Sequence, residues 1–279
     1  MLLVTGCSAA PAPTPTLTPT LPEGVTVGLE QLRSDVSTRT AQVRVTNDSG
    51  AAITVAGVSV EDDRFAGPSR RVIADRVSTI ASGSSVDVRV QLAPVDCDAA
   101  DDGTARVVIE LVSDAGTTEA VASAADPLGF LERLHARECL AERLADAVTP
   151  EFTGFTASPP GEPAALELTL TPAGGGADAT VVGVERTNLL DLDGQGDDKL
   201  FPLDVEIHPG DTRPVVVVLP VVPARCDPHV VQEDKRGTIF DVRVELDGEP
   251  GEIELFVGEE LRGRILTWVA QWCGFGGPG

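Results

Sequence analysis

The feature that most constrains this chain is an internal duplication. With Cys139 laid on Cys273, Gly129 meets Gly263, Leu131 meets Ile265, Leu134 meets Trp268 and Ala136 meets Ala270 without a gap. Upstream, Glu110-Leu111, Gly116 and Glu119 fall on Glu245-Leu246, Gly251 and Glu254. Farther back, Ile80 and Gly83 meet Ile207 and Gly210, and the alternating Val88, Val90 and Leu92 meet Val215, Val217 and Leu219. Each copy then reaches a Cys-Asp pair, Cys97-Asp98 or Cys226-Asp227. A register kept over so many positions is a duplication, so one fold must be built twice. The 279 residues suffice for two domains, each with its own core.

Four of the five cysteines divide evenly between the copies. A duplicated unit can only inherit a bond contained within it, so Cys97 is expected to pair with Cys139 and Cys226 with Cys273. Each bond closes a loop of about 43 to 48 residues, worth roughly 4 kcal/mol in the chain-entropy treatment. Secondary structure follows from hydrophobic period. Thr40 to Thr46 alternates with period two, Asn47-Asp48-Ser49-Gly50 supplies a turn, and Ile53 to Val58 alternates again, which predicts a hairpin. Ala165 to Leu170, Gly174-Gly175-Gly176 and Thr180 to Val184 predict the same hairpin in the second copy. Val215 to Val222, interrupted by Pro220, predicts a buried strand.

Each copy closes differently. Asp126-Pro127 opens a segment in which Leu128, Leu131, Leu134, Leu140 and Leu144 have helical spacing, with Pro in the first turn. Leu261, Ile265, Trp268, Val269 and Trp272 repeat that spacing. The expectation is a mostly β protein of two β-sandwich units, each of about 120 residues and each ending in an amphipathic helix stapled by its disulfide. The strand and turn pattern resembles bacterial immunoglobulin-like modules. Tyr is absent, and with it the tyrosine corner of antibody domains. The resemblance implies a scaffold or adhesion role, since sandwich folds carry many functions.

The amino terminus gives a location. Leu3-Val4-Thr5-Gly6-Cys7 places a thiol after small residues, and the uncharged Pro- and Thr-rich run to Pro22 holds an extended polyproline conformation. That run predicts a stalk of roughly 35 to 40 Å. Together they resemble a bacterial lipoprotein of high-GC, actinobacterial type, with Cys7 as the lipidated residue. Lys occurs only at Lys199 and Lys235 and Arg dominates, in keeping with such a genome. Only Met1 to Gly6 precede Cys7, so the charged and apolar parts of a signal peptide are expected upstream of this start. The resulting boundaries are 1–7 for the signal remnant, 8–22 for the stalk, 23–148 for module 1 and 149–279 for module 2. Disulfides belong to oxidising compartments, and no later segment is apolar for long enough to span a bilayer. Localisation at the extracytoplasmic face of the cell membrane, with the lipid on Cys7 as the only membrane contact, is the expectation.

The formal net charge of −23 is spread over both halves and repels phosphate backbones, so nucleic acid is excluded as a partner. The partner is expected to be a protein or a cell-envelope component. Two constellations carry weaker chemistry. Asp191, Asp193, Gln195 and Asp197 follow the oxygen spacing of a calcium loop. Pro202 stands where such a loop needs its bidentate Glu, so the segment is read as an exposed hairpin tip of at best weak calcium affinity. Asp227, His229, Glu233 and Asp234 follow Cys226 and form a contact patch private to the second copy, whose first-copy counterpart is Asp98-Ala99-Ala100. His135 becomes Val269 in the second copy and is expected to pack, while His208 precedes a Pro-Gly turn. Hydrolase and nucleotide motifs are missing from the sequence. The reading is therefore a non-catalytic envelope lipoprotein that binds or scaffolds, needing no cofactor. A calcium-dependent binding module and a secreted enzyme or enzyme accessory are the alternatives.

Overall fold

The computed structural model describes residues 20–99, 104–194, 199–233 and 236–275. Cys7 and nearly all of the Pro-Thr segment lie outside them. The chain is mostly β. The first copy supplies β1 (Val25–Glu30), β2 (Thr40–Asn47), β3 (Ile53–Glu61), β4 (Ser69–Arg71), β5 (Ser78–Ile80), β6 (Ser84–Gln91), β7 (Arg106–Ser113) and β8 (Gly116–Ser123), then α1 (Phe130–Ala145). The second supplies β9 (Val148–Thr156), β10 (Ala164–Pro172), β11 (Ala179–Glu185), β12 (Leu190–Leu192), β13 (Leu200–Ile207) and β14 (Val215–Pro223). It ends with a short α2 (Pro228–Glu233), β15 (Ile239–Leu246), β16 (Glu249–Phe256) and α3 (Glu259–Trp272).

The pairings repeat strand for strand, as the duplication requires. β1, β2 and β6 lie side by side with β4 beyond β6, and β9, β10 and β14 do the same with β12. β5, β3, β7 and β8 are matched by β13, β11, β15 and β16. One contact differs. β4 also pairs with β3 through Ser59 and Val60, so the first copy is one continuous eight-stranded sheet and the second is two four-stranded sheets.

The two hairpins expected from the sequence do not form. β2 pairs with β1 and β6, whereas β3 pairs with β4, β5 and β7. β10 and β11 are separated in the same way, in different sheets. Period-two alternation fixes which face of a strand is buried but says nothing of which strand lies beside it. The Asn47–Gly50 turn is instead an arch between strands that are not neighbours, pinned by Asn47. That side chain is fully buried and donates to the carbonyls of Ala51 at 2.9 Å and Ile80 at 3.0 Å. In the second arch a Cβ on Gly175 would fall 1.9 Å from the Asp146 carbonyl oxygen, so only glycine fits.

Val43, Val45, Val55, Val60, Val90 and Ile109 are solvent-free in the first core, and Leu166, Leu168, Leu170, Val181, Leu219 and Phe240 in the second. α1 belongs to both. Phe130, Leu131 and Leu134 enter the first core, and about two to three turns after Leu134, Leu140 and Leu144 enter the second. The helix starts at Phe130 rather than at Pro127, and Leu128 is exposed. Asp126 does the capping that Gly129 cannot, its Oδ2 accepting the Leu131 N–H at 2.9 Å while its Oδ1 is buried without a partner.

Candidate binding surfaces

The cysteines of the two copies are joined as the duplication predicts. Cys97 is bonded to Cys139 with α-carbons 5.4 Å apart, and Cys226 to Cys273 with α-carbons 5.2 Å apart. Cys139 lies on α1 and Cys273 caps α3. Cys7 lies outside the described residues.

The acidic loop is not a hairpin tip. β12 pairs with β14 and β13 pairs with β11, so the two strands that flank the acidic segment lie in different sheets. The buried Leu190 and Leu192 hold β12 in the core and turn Asp191 outward. There its Oδ1 accepts a hydrogen bond from Arg186 Nη1 at 3.0 Å. Asp193 is exposed, and Gln195 and Asp197 lie outside the described residues. A guanidinium on Asp191 competes directly with a cation.

The second constellation is an ordinary helix start. Asp227 Oδ1 accepts the His229 N–H at 2.9 Å at the head of α2, and both side chains are exposed. The side chain of Glu233 and all of Asp234 lie outside the described residues. No group of three or more His, Cys, Asp or Glu that could hold a metal occurs among the described residues. His135 is buried, with its Nε2 2.9 Å from the Asp96 carbonyl, beside the Asp62–Arg64 ion pair that closes at 2.7 Å. His208 is exposed, and its hydrogen bond with Asp178 raises its pKa above the usual histidine value.

Three features escape the sequence. Val215, Val216 and Val218 of β14 are exposed rather than buried: Val216 and Val218 are alternate members on the outer face of the sheet, and Val215 is the first residue of the strand. Asp241 and Glu254 are directly opposite one another on β15 and β16. Burial first, and then the Glu254 charge, push the Asp241 pKa up; burial and Asp241 do the same to Glu252. Arg137 of α1 reaches Glu254 at 3.4 Å across the boundary between the copies.

The third feature is a crevice of about 280 Å³ where β4 leaves β6 and the chain crosses to β5. Arg71, Arg76 and Arg89 line it together with Val72, Ile73 and Val88. Arg71 donates to the Ala56 carbonyl at 2.9 Å and to Ser78 Oγ at 2.8 Å, both neutral acceptors. A loop-by-loop comparison of the copies is the signal that finds it. Val72 to Val77, between β4 and β5, carry one aspartate, Asp75, beside Val72, Ile73 and Arg76, whereas the sequence between β12 and β13 carries Asp193, Asp197 and Asp198.

No protein family model matches the chain, and no curated protein is similar to it in sequence. Among solved structures, red sea bream transglutaminase aligns over 86% of this chain and 32% of its own length, at 11% identity and a TM-score of 0.26. The chain thus spans about a third of that protein. The CupB2 chaperone of Pseudomonas aeruginosa aligns over 80% of this chain and 95% of its own, at 12% identity and TM-score 0.22. The Escherichia coli chaperone DraB aligns over 82% and 98%, at 12% identity and TM-score 0.22.

Proposed function

We propose that the chain is a non-catalytic lipoprotein of the bacterial cell envelope, held at the extracytoplasmic face by a lipid on Cys7. Two immunoglobulin-like units, residues 23–148 and 149–279, each carry a helix stapled by a disulfide and bind or space a protein or envelope component. The observation that carries this reading is α1, whose first half fills one core and whose second half fills the other. A helix shared in that way holds two sets of surfaces in one orientation, which is what a spacer or scaffold needs and what a flexible tether lacks. Two disulfides suit an oxidising compartment. No helix among the described residues is long and apolar enough to cross a membrane.

The test is partitioning. Expressed behind a signal peptide that precedes Met1, the wild-type protein enters the detergent phase and Cys7→Ala stays in the aqueous phase. Equal partitioning of the two overturns the anchor.

A further inference from the structure

We propose that the crevice between β4, β5 and β6 is a binding site for a small organic anion, a carboxylate carried on an apolar body. This deepens the binding reading by naming a ligand class. It is independent of the lipid anchor, so failure of one leaves the other standing.

Charge is the first argument. The chain holds 44 acidic residues against 21 basic ones, yet three arginines and only one carboxylate, Asp87, line this crevice. Asp87 is already neutralised, since Arg44 Nε and Nη2 donate to its two oxygens at 2.8 and 3.0 Å. Among the described residues Arg89 has one anionic contact, Asp35 at 3.4 Å. That carboxylate is fully buried and is also shared by Thr40, Gln42 and the Leu32 N–H. Arg76 is exposed and has no ion pair among the described residues. Asp75, its neighbour in sequence, does not line the crevice.

Arg71 is the second argument. It is half-buried, and its two hydrogen bonds go to neutral oxygens. Burial first, then the Arg76 charge, lower its pKa, although a guanidinium keeps its proton near neutrality. A cation partly withdrawn from water is best placed beside an anion. Among the described residues no carboxylate bonds to it, and the fork of donors on a guanidinium matches a carboxylate.

The walls and the repeat complete the case. Val72 and Ile73 are 49% and 57% exposed at the rim, and Val88 forms a buried wall. Apolar walls with a few converging polar groups are the usual makeup of small-ligand sites, and 280 Å³ suits a ligand of about ten heavy atoms. β6 has no strand partner from Ser84 to Val88 on the side that β4 leaves, which keeps the mouth open. In sequence, the second copy carries Asp193, Asp197 and Asp198 between β12 and β13, and has Val216 in the place of Arg89. The fold therefore does not demand this cationic, apolar lining.

Octanoate is the probe. Titrated into the 15N-labelled protein, it is expected to shift the amides of Arg76, Ser78 and Val88. Arg76→Gln removes an exposed charge with no packing role and is expected to weaken binding about fivefold, and Arg71→Gln about tenfold. Arg262→Gln, on α3, leaves the affinity unchanged. Acetate, which lacks the apolar body, and octanol, which lacks the charge, each bind at least about tenfold more weakly. Because Arg71 also ties β4 to β3 and β5, its variant is read only where its amide spectrum stays folded, and Arg76→Gln decides otherwise. Octanoate affinity unmoved by Arg76→Gln, or octanol binding as tightly, overturns the anion site. Acetate binding as tightly as octanoate overturns the apolar half. Shifts along β6 with an acidic peptide and none with octanoate overturn it in favour of a strand-pairing partner.

Discussion

At the scale of single residues, Asp241 is a carboxylate the fold would rather hold neutral. Burial and the opposing Glu254 raise its pKa, and Glu252 is raised by burial and by Asp241. A folded-state pKa above the unfolded one gives stability that is fully present below the unfolded value and is lost as pH rises through the folded one. That contribution is lost as each carboxyl ionises on the way up in pH, leaving a charge held where burial opposes it. Asp241→Asn is therefore expected to raise Tm at pH 7 by about 2 °C. The gain should shrink as pH falls through the raised folded-state value and be gone below about 4, the ordinary value of an aspartate in the unfolded chain. Thermal melts of the two proteins across that window check the sign, and a variant less stable at pH 7 contradicts it. Asp191 presents the opposite case, a carboxylate already satisfied by Arg186. Calorimetry with calcium is expected to show binding no tighter than about millimolar. A micromolar constant lost in Asp191→Ala would promote the acidic loop to a calcium site.

At the scale of elements, the strands and helices were legible because each rests on local information. Alternation at Thr40–Thr46 marks β2, and helical spacing through Leu131, Leu134, Leu140 and Leu144 marks α1. Neighbours were not legible. Asn47 signals a turn equally well for a hairpin and for an arch, and only its buried bonds to Ala51 and Ile80 decide between them. The valines of β14 misled for a related reason, since consecutive apolar residues do not reveal which of them lie outside. The cationic crevice was hidden because Arg71 and Arg89 are distant in sequence, and only the pairing of β4 with β6 brings them together. The disulfides were legible because duplication supplies its own control. Their energetic role follows from separations of 42 and 47 residues. The Cys226→Ser, Cys273→Ser double variant is expected to lose about 2–4 kcal/mol in urea unfolding. A loss below about 0.5 kcal/mol would mean that the Trp268 and Ile265 packing alone fixes α3.

At the scale of the whole molecule, the decisive question is whether two cores unfold as one. Two duplicated units joined by a short segment would melt separately if only the chain connected them. α1 opposes that, because unfolding either core strips part of its apolar face. Leu140 and Leu144 are 9% and 1% exposed in the second core, and burying a leucine is worth about 1.5–3 kcal/mol. The Arg137–Glu254 pair, with side chains 23% and 16% exposed, adds at most about 1 kcal/mol. Apolar contact therefore carries the coupling, and the ion pair fixes its register. Gly251 marks the point of closest approach, since a Cβ there would lie 2.3 Å from Leu140 Cδ2, while its first-copy counterpart Gly116 faces open space. Calorimetry of the wild type should show one transition with calorimetric and van't Hoff enthalpies in agreement. Leu140→Ala is expected to cost about 2–4 kcal/mol. Combined with Gly251→Val, which closes the space α1 occupies, it should split the melt in two, the second unit unfolding first. Two resolved transitions in the wild type would show that α1 touches both cores without coupling them, and would remove the fixed orientation on which the scaffold reading depends.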